Sequence, residues 1–117
     1  PTAISWDGGL VVHGGVDPTR PLATQTRDDV LTMRSPEGDG YDGPFWFDAY
    51  EGPPRVFFGH TVLETPIERE WAVGLDTGCV YGGSLTAYDV GNERFVSVDG
   101  PDHVERSSAK IVTPDGC

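Results

Sequence analysis

A chain of 117 residues with 37% hydrophobic content, including three Trp, five Phe and four Tyr, has enough apolar matter for one packed domain and no need of a second. Its formal net charge of -11, with 19 acidic residues against 8 basic ones, lacks the basic clusters that nucleic acid phosphate or anionic lipid would require. No apolar run approaches the ~20 residues that span a bilayer, so neither nucleic acid nor membrane is expected as a partner.

The charge has a second implication. Seven Arg and the single Lys110 stand among abundant Asp, a composition that keeps a surface soluble in strong salt and fits a halophilic source. Cys79 and Cys117 offer no disulfide framework, which favours a reducing, cytoplasmic setting. The chain opens at Pro1 without a basic-then-apolar leader, so an upstream portion is expected to be missing.

In chain order, Ser5-Trp6-Asp7-Gly8-Gly9 is a turn cluster that introduces a strand over Leu10 to His13. Asp17 to Leu22 carries two prolines and is loop. Asp28 to Arg34 suits a short helix with carboxylates at its positive end. Ser35 to Gly43 is a Pro/Gly/Asp loop, and Pro44 to Tyr50 is one or two turns of aromatic-faced helix stopped by Gly52-Pro53-Pro54. Strands then follow at Arg55 to Phe58, Ala72 to Leu75, Ser84 to Val90 and Arg94 to Val98, the last two closing a hairpin over Gly91-Asn92-Glu93. Pro101 to Ser108 is polar, with His103 exposed, and Ile111-Val112 is an edge strand.

Three of these apolar runs stop abruptly at polar, glycine-flanked residues: Leu10-Val11-Val12 at His13-Gly14-Gly15, Val56-Phe57-Phe58 at Gly59-His60-Thr61, and Ala72-Val73-Gly74-Leu75 at Asp76-Thr77-Gly78. Strand ends are where ligands gather in sheet proteins, because irregular backbone begins there. His13 and His60 are the leading candidates, each between an apolar strand and a small residue that leaves room for a ligand. Neutral imidazole suits Zn, Mn, Fe or Ni, and Asp17, Asp28, Asp29 or Asp76 could complete a site, although a lone Asp in so acidic a chain is ordinarily solvated surface. The bland alternative is two unrelated turn histidines. Asp76-Thr77-Gly78 also invites comparison with aspartic proteases, but that comparison leaves both histidines unused and sets Cys79 where those enzymes carry a small or hydroxyl residue.

The ordered set His13-Gly14-Gly15-Val16-Asp17-Pro18, Leu31-Thr32-Met33-Arg34, Phe58-Gly59-His60-Thr61 and Leu75-Asp76-Thr77-Gly78-Cys79-Val80-Tyr81-Gly82-Gly83-Ser84-Leu85-Thr86-Ala87 resembles the second half of calcineurin-like metallophosphoesterases. Within them it is similar to the bacterial and archaeal branch of the phosphoprotein phosphatase family, near the diadenosine tetraphosphatases. The resemblance implies an α/β fold, here the C-terminal portion of a metallophosphoesterase β-sandwich with flanking helices and mostly β. Residues 1–117 would then be one part of a domain whose N-terminal half lies elsewhere and is its expected partner.

The resemblance further implies a dimetal phosphoester hydrolase, serine/threonine phosphatase-like, with a diadenosine tetraphosphatase-type nucleotide hydrolase as the alternative. An inactive fold remnant or non-enzymatic module is the third reading. His13 and His60 would ligate one of two divalent ions, Mn first and Fe, Zn or Ni after it, and Arg34 would grip the substrate phosphate. The substrate would be a phosphoprotein or a dinucleoside polyphosphate. Thr32-Met33 replaces the family's usual Trp-x before that arginine, and an Arg34 paired with Asp28 or Asp29 is the plainer alternative. Asp76 and Thr77 would fix the loop around the ligands, and Tyr81 would line the cleft. The family's Gly-Asp-x-His-Gly, Gly-Asp-x-x-Asp-Arg-Gly and Gly-Asn-His-Glu motifs are absent from these residues, so no general acid is expected in this chain and it should be inactive alone.

Overall fold

Short β-branched and aromatic runs separated by Gly and Pro build a sheet whose middle strands are parallel and whose edges are antiparallel. In the computed structural model, which describes residues 1–36, 41, 43–101, 111 and 112, this sheet has the order β1-β2-β3-β5-β4. Its strands are β1 (Ala3–Trp6), β2 (Gly9–Val12), β3 (Arg55–Phe58), β4 (Ile67–Glu68) and β5 (Ala72–Gly74). The central β2, β3 and β5 run parallel, pairing Val11 with Phe57 and Phe57 with Val73. Parallel strands need long crossovers, and the one between β2 and β3 carries both helices. The remaining strands, β6 (Ser84–Asp89) and β7 (Arg94–Asp99), form a separate two-stranded ribbon. This mostly β architecture agrees with the α/β class expected from the motifs. Among the described residues no helix is long and apolar enough to cross a membrane.

Helix α1 (Arg27–Thr32) begins one residue before the predicted Asp28, because Thr26 caps it. The Thr26 hydroxyl accepts from the Asp29 amide and the Asp29 carboxylate accepts from the Thr26 amide, a reciprocal capping box that satisfies two otherwise orphaned donors. Arg20 ties the same corner, with ion pairs to both Asp17 and Asp29. Helix α2 (Trp46–Ala49) is a single turn whose aromatics anchor the core. Trp46 is fully buried, with its ring centroid 4.9 Å from that of Phe58, while Phe47 stacks on Phe58 at 5.2 Å. Each such buried aromatic contributes roughly 1.5–3 kcal/mol through removal of apolar surface from water.

Two differences from the sequence reading have plain causes. Ser5 and Trp6 belong to strand β1, since the turn needs only Asp7 and Gly8, and Gly8 supplies the positive φ of 90°. Strand β4 has only two residues and exists because it pairs with β5, a non-local condition that no short window displays. Val112 makes a single parallel bridge to Leu63 where an edge strand was expected. His103 and Cys117, like most of the expected polar segment from Pro101 to Ser108, lie outside the described residues.

The ribbon meets the sheet through Tyr88. Its ring lies 5.6 Å from Phe57, and its hydroxyl donates to Glu68 Oε2 at 2.8 Å while accepting from Arg55 Nη1 at 3.3 Å. Burial comes first in raising the Tyr88 hydroxyl above its ordinary pKa, with the bond to Glu68 adding to it. One face of the sheet thus carries the helices and core, and the other carries the ribbon.

Candidate functional site

Because β2 and β3 are parallel neighbours, their C-terminal ends emerge side by side. The Gly59 amide continues the ladder by donating to the His13 carbonyl at 2.8 Å. The two imidazoles consequently stand with ring centroids 5.0 Å apart and planes inclined by 51°. Both line one cleft of about 550 Å³, together with Asp76, Thr77, Cys79, Leu75 and Leu85.

His60 is held in an uncommon backbone state. Its φ is 67°, and the Thr61 amide donates to the Gly59 carbonyl at 2.7 Å, which makes His60 the centre of a γ-turn. Positive φ is rare for a residue with a Cβ and concentrates at functional positions, where surrounding structure enforces it. Burial chiefly pushes the His60 pKa below its ordinary value, helped by the charges of Arg34 and His13 and opposed by Asp76 and by a hydrogen bond to the Thr32 carbonyl. Its Nε2 is buried and has no hydrogen-bond partner. An unpartnered imidazole nitrogen beside a second imidazole is the arrangement a borderline divalent ion fits, since neutral nitrogen is the donor such ions prefer. Completion of a ligand set is another matter, because among the described residues no group of three or more His, Cys, Asp and Glu could hold a metal.

The glycines after His13 serve packing. A Cβ at Gly14 would stand 2.8 Å from the backbone carbon of Leu31, and one at Gly15 would stand 2.3 Å from the Trp46 indole nitrogen. Room that the sequence suggested was for a ligand is therefore filled by the end of α1 and by α2. The Gly14 amide donates to the Val30 carbonyl at 2.7 Å, fastening the helix to the strand end.

Arg34 adjoins the pair without lining the cleft wall. Its Nη2 donates to the His60 carbonyl over 3.4 Å, its guanidinium carbon lies 4.5 Å from the Tyr41 ring centroid, and its Nε is buried without a partner. The ion pair with Asp28 or Asp29 that the sequence allowed does not form. Asp29 is taken by Arg20, and its pKa is lowered first by the Thr26 amide and then by that guanidinium. Asp17 is likewise occupied by Thr19 and Arg20, with its pKa lowered mainly by the Thr19 bonds, so neither carboxylate completes the histidine site.

Asp76 stands beside the histidine turn, where a Cβ added to Gly59 would lie 4.0 Å from its Oδ2. Its Oδ1 accepts from the Gly78 amide at 3.1 Å, and its carbonyl accepts from the Leu63 amide at 2.8 Å. Thr77 is nearly buried and fastens this loop to the ribbon, donating to the Ser84 carbonyl at 2.6 Å and bonding the Thr86 hydroxyl at 2.7 Å. Tyr81 sits on a 3-10 turn over Cys79–Tyr81, is 39% exposed, and is not among the residues lining the cleft. Sequence reasoning passed over Tyr41 and the Thr32 carbonyl. Tyr41 falls in a Pro/Gly/Asp loop without periodicity, and a backbone carbonyl has no side-chain signature.

No family model matches the chain. It is 41% identical over 90 residues to the symmetrical bis(5'-nucleosyl)-tetraphosphatase of Chromohalobacter salexigens, covering 70% of this chain and 30% of that one. It is 40% identical over 53 residues to the asymmetrical bis(5'-nucleosyl)-tetraphosphatase of Oceanobacillus iheyensis, covering 45% of this chain and 21% of the relative. A crystal structure provisionally described as a diadenosine tetraphosphatase superposes with a TM-score of 0.71 at 34% identity, over 81% of this chain and 48% of the other. The chain thus spans less than a third of these curated relatives and about half of the solved one. With the His-Gly-Gly and Gly-His-Thr strand ends brought into one cleft, the chain is similar in sequence and fold to part of the bis(5'-nucleosyl)-tetraphosphatases, a branch of the calcineurin-like metallophosphoesterases.

Proposed function

We propose that residues 1–117 are one part of a dimetal phosphoester hydrolase domain, in which His13 and His60 hold one of two divalent ions, Mn first among them. The observation that carries this reading is the pair of imidazoles at 5.0 Å in a single cleft, one of them with a buried, unpartnered Nε2. When bound, such ions activate water toward phosphorus and neutralise charge on the phosphoryl oxygens. This chain contributes orientation. The γ-turn and the Thr32 carbonyl hold the His60 ring, and the bond from Gly59 to His13 keeps the two strand ends in step. Arg34, stacked on Tyr41, retains guanidinium donors for a phosphate oxygen pair, which its planar fork suits. Asp76 and Thr77 fix the loop at the cleft floor.

The names of the relatives favour a dinucleoside polyphosphate over a phosphoprotein as the substrate class. A protein lacking a general acid and the second ion's ligands performs no turnover by itself, so activity belongs to the complete domain in a cytoplasmic, salt-rich setting.

Isothermal titration of Mn²⁺ into the metal-free chain tests the assignment. One weak site is expected in the parent, lost in both His13→Ala and His60→Ala, with the C2 proton resonances of both histidines broadened by the paramagnetic ion. Mn²⁺ binding that survives both substitutions would refute the histidine site.

A further inference from the structure

The end of helix α1 is fastened to both histidine-bearing strand ends. Its Val30 carbonyl accepts from the Gly14 amide at 2.7 Å, one residue past His13, and its Thr32 carbonyl accepts a ring N–H of His60. The last carbonyls of a helix have no partner within it, so each of these bonds satisfies an otherwise orphaned acceptor. Arg34, two residues on, donates from Nη2 to the His60 carbonyl at 3.4 Å. His60 is therefore held at its ring and at its backbone by one stretch, Thr32 to Arg34, and the adjoining Leu31 lines the cleft with both imidazoles.

The approach of α1 to β2 leaves no room at Gly14. A Cβ there would stand 2.8 Å from the carbonyl carbon of Leu31 and 2.9 Å from both the Leu31 oxygen and the Thr32 nitrogen. These three atoms make up the peptide that joins Leu31 to Thr32, and pushing it aside shifts the Thr32 carbonyl that follows. Gly14 is not among the glycines with positive φ, so alanine there meets an obstacle of contact and not of backbone conformation. At Gly15 the nearest atoms belong instead to the Trp46 side chain.

A neutral imidazole carries its proton on one nitrogen and a lone pair on the other. A carbonyl can only accept, so the ring nitrogen that faces Thr32 bears the proton and its counterpart is left bare. We propose that Gly14, although it adjoins His13, is a positioning residue for His60: its missing Cβ lets the Leu31–Thr32 peptide lie against the end of β2, where the Thr32 carbonyl holds His60 in a single neutral tautomer. The first glycine after one histidine thereby prepares the other. That the bare nitrogen then serves a divalent ion rests on the phosphoesterase reading; the positioning relationship does not.

Long-range ¹H–¹⁵N correlation spectra of the metal-free 117-residue chain at about pH 8, above the ordinary histidine pKa of about 6.5, read the tautomer directly. The His60 signals, assigned by their loss in His60→Ala, are expected to show one protonated and one bare nitrogen. Folded Gly14→Ala should give the intermediate shifts of exchanging tautomers, and so should Thr32→Gly, which keeps the carbonyl but frees the backbone that carries it. Thr26→Ala removes the cap at the far end of α1, so it should lower the melting temperature and leave the single tautomer in place, which separates position from a general loss of stability. Mn²⁺ affinity should fall about 10- to 100-fold in Gly14→Ala, the usual cost of disturbing a group that orients a ligand. Mixed tautomers in the parent, a single tautomer retained in both Gly14→Ala and Thr32→Gly, or mixing in Thr26→Ala equal to that in Gly14→Ala would overturn the proposal. Because the tautomer is read without metal, a parent chain that fails to bind Mn²⁺ refutes the ligand reading alone.

Discussion

His13 and His60 are 47 positions apart in the chain, yet their rings lie 5.0 Å apart because each stands just beyond the end of one of two adjacent parallel strands. The pairing of Val11 with Phe57 sets the register, and the bond from the Gly59 amide to the His13 carbonyl carries it past the last ladder pair. The relationship is one of backbone topology first and side-chain chemistry second. Its cost is visible at His60, where φ is 67°.

That backbone state gives a stability prediction separable from metal chemistry. His60→Gly and His60→Ala both delete the imidazole, but only alanine must occupy positive φ with a Cβ. The glycine variant should be more stable by about 1 kcal/mol, the order of the penalty for a left-handed L-residue. Urea melts of the two variants measure the difference directly. Equal midpoints would mean that the turn relaxes once the imidazole is gone.

The Arg20 corner predicts acid sensitivity. Hydrogen bonds from Thr19 and from the Thr26 amide, aided by Arg20, hold the Asp17 and Asp29 carboxyls below their ordinary pKa. A depressed folded-state pKa contributes stability that is complete above the unfolded value, about 3.9 for Asp, and is lost as pH falls through the folded value. Stability should therefore decline below about pH 4. In the double variant Asp17→Asn/Asp29→Asn this contribution is absent, so its melting temperature, lower than the parent's at pH 6, should approach it at pH 2. A gap that stays constant across that range would show that these carboxyls titrate alike in the folded and unfolded chain.

Net charge predicts the response to salt. With -11 spread over a small domain, self-repulsion acts across a Debye length of ~30 Å at 0.01 M salt and ~3 Å at 1 M. The melting temperature should rise by several degrees from low salt to molar KCl, most of it within the first few hundred millimolar. Differential scanning calorimetry across a KCl series checks this, and a flat or falling curve would count against a halophilic surface.

Much of the sheet was legible before the structure. The strands expected at Leu10 to His13, Arg55 to Phe58 and Ala72 to Leu75 are found over Gly9–Val12, Arg55–Phe58 and Ala72–Gly74, with His13 and Leu75 falling just past the strand ends. The Asp28–Asp29 cluster marked the start of α1 to within a residue, because caps and first-turn carboxylates are local chemistry. What escaped was non-local. Strand β4 depends on β5 and the histidine γ-turn on the tertiary frame, and the small size of Gly14 and Gly15 answers helices that pack from 16 and 31 positions downstream, at Val30 and Trp46.

The amino-acid sequence by itself determined which residues could bear imidazole and guanidinium chemistry, that they end apolar strands, and which family pattern they follow. Periodicity and composition are local properties that survive without coordinates. Tertiary structure alone decided that the ends of β2 and β3 are neighbours, that Asp29 belongs to Arg20 rather than Arg34, that Tyr81 stays out of the cleft, and that the ribbon keeps an aliphatic face in water. Each of those outcomes depends on which distant segments share a register or a face. That is fixed by how the whole chain buries Trp46, Phe58 and their neighbours, and no single stretch carries the information.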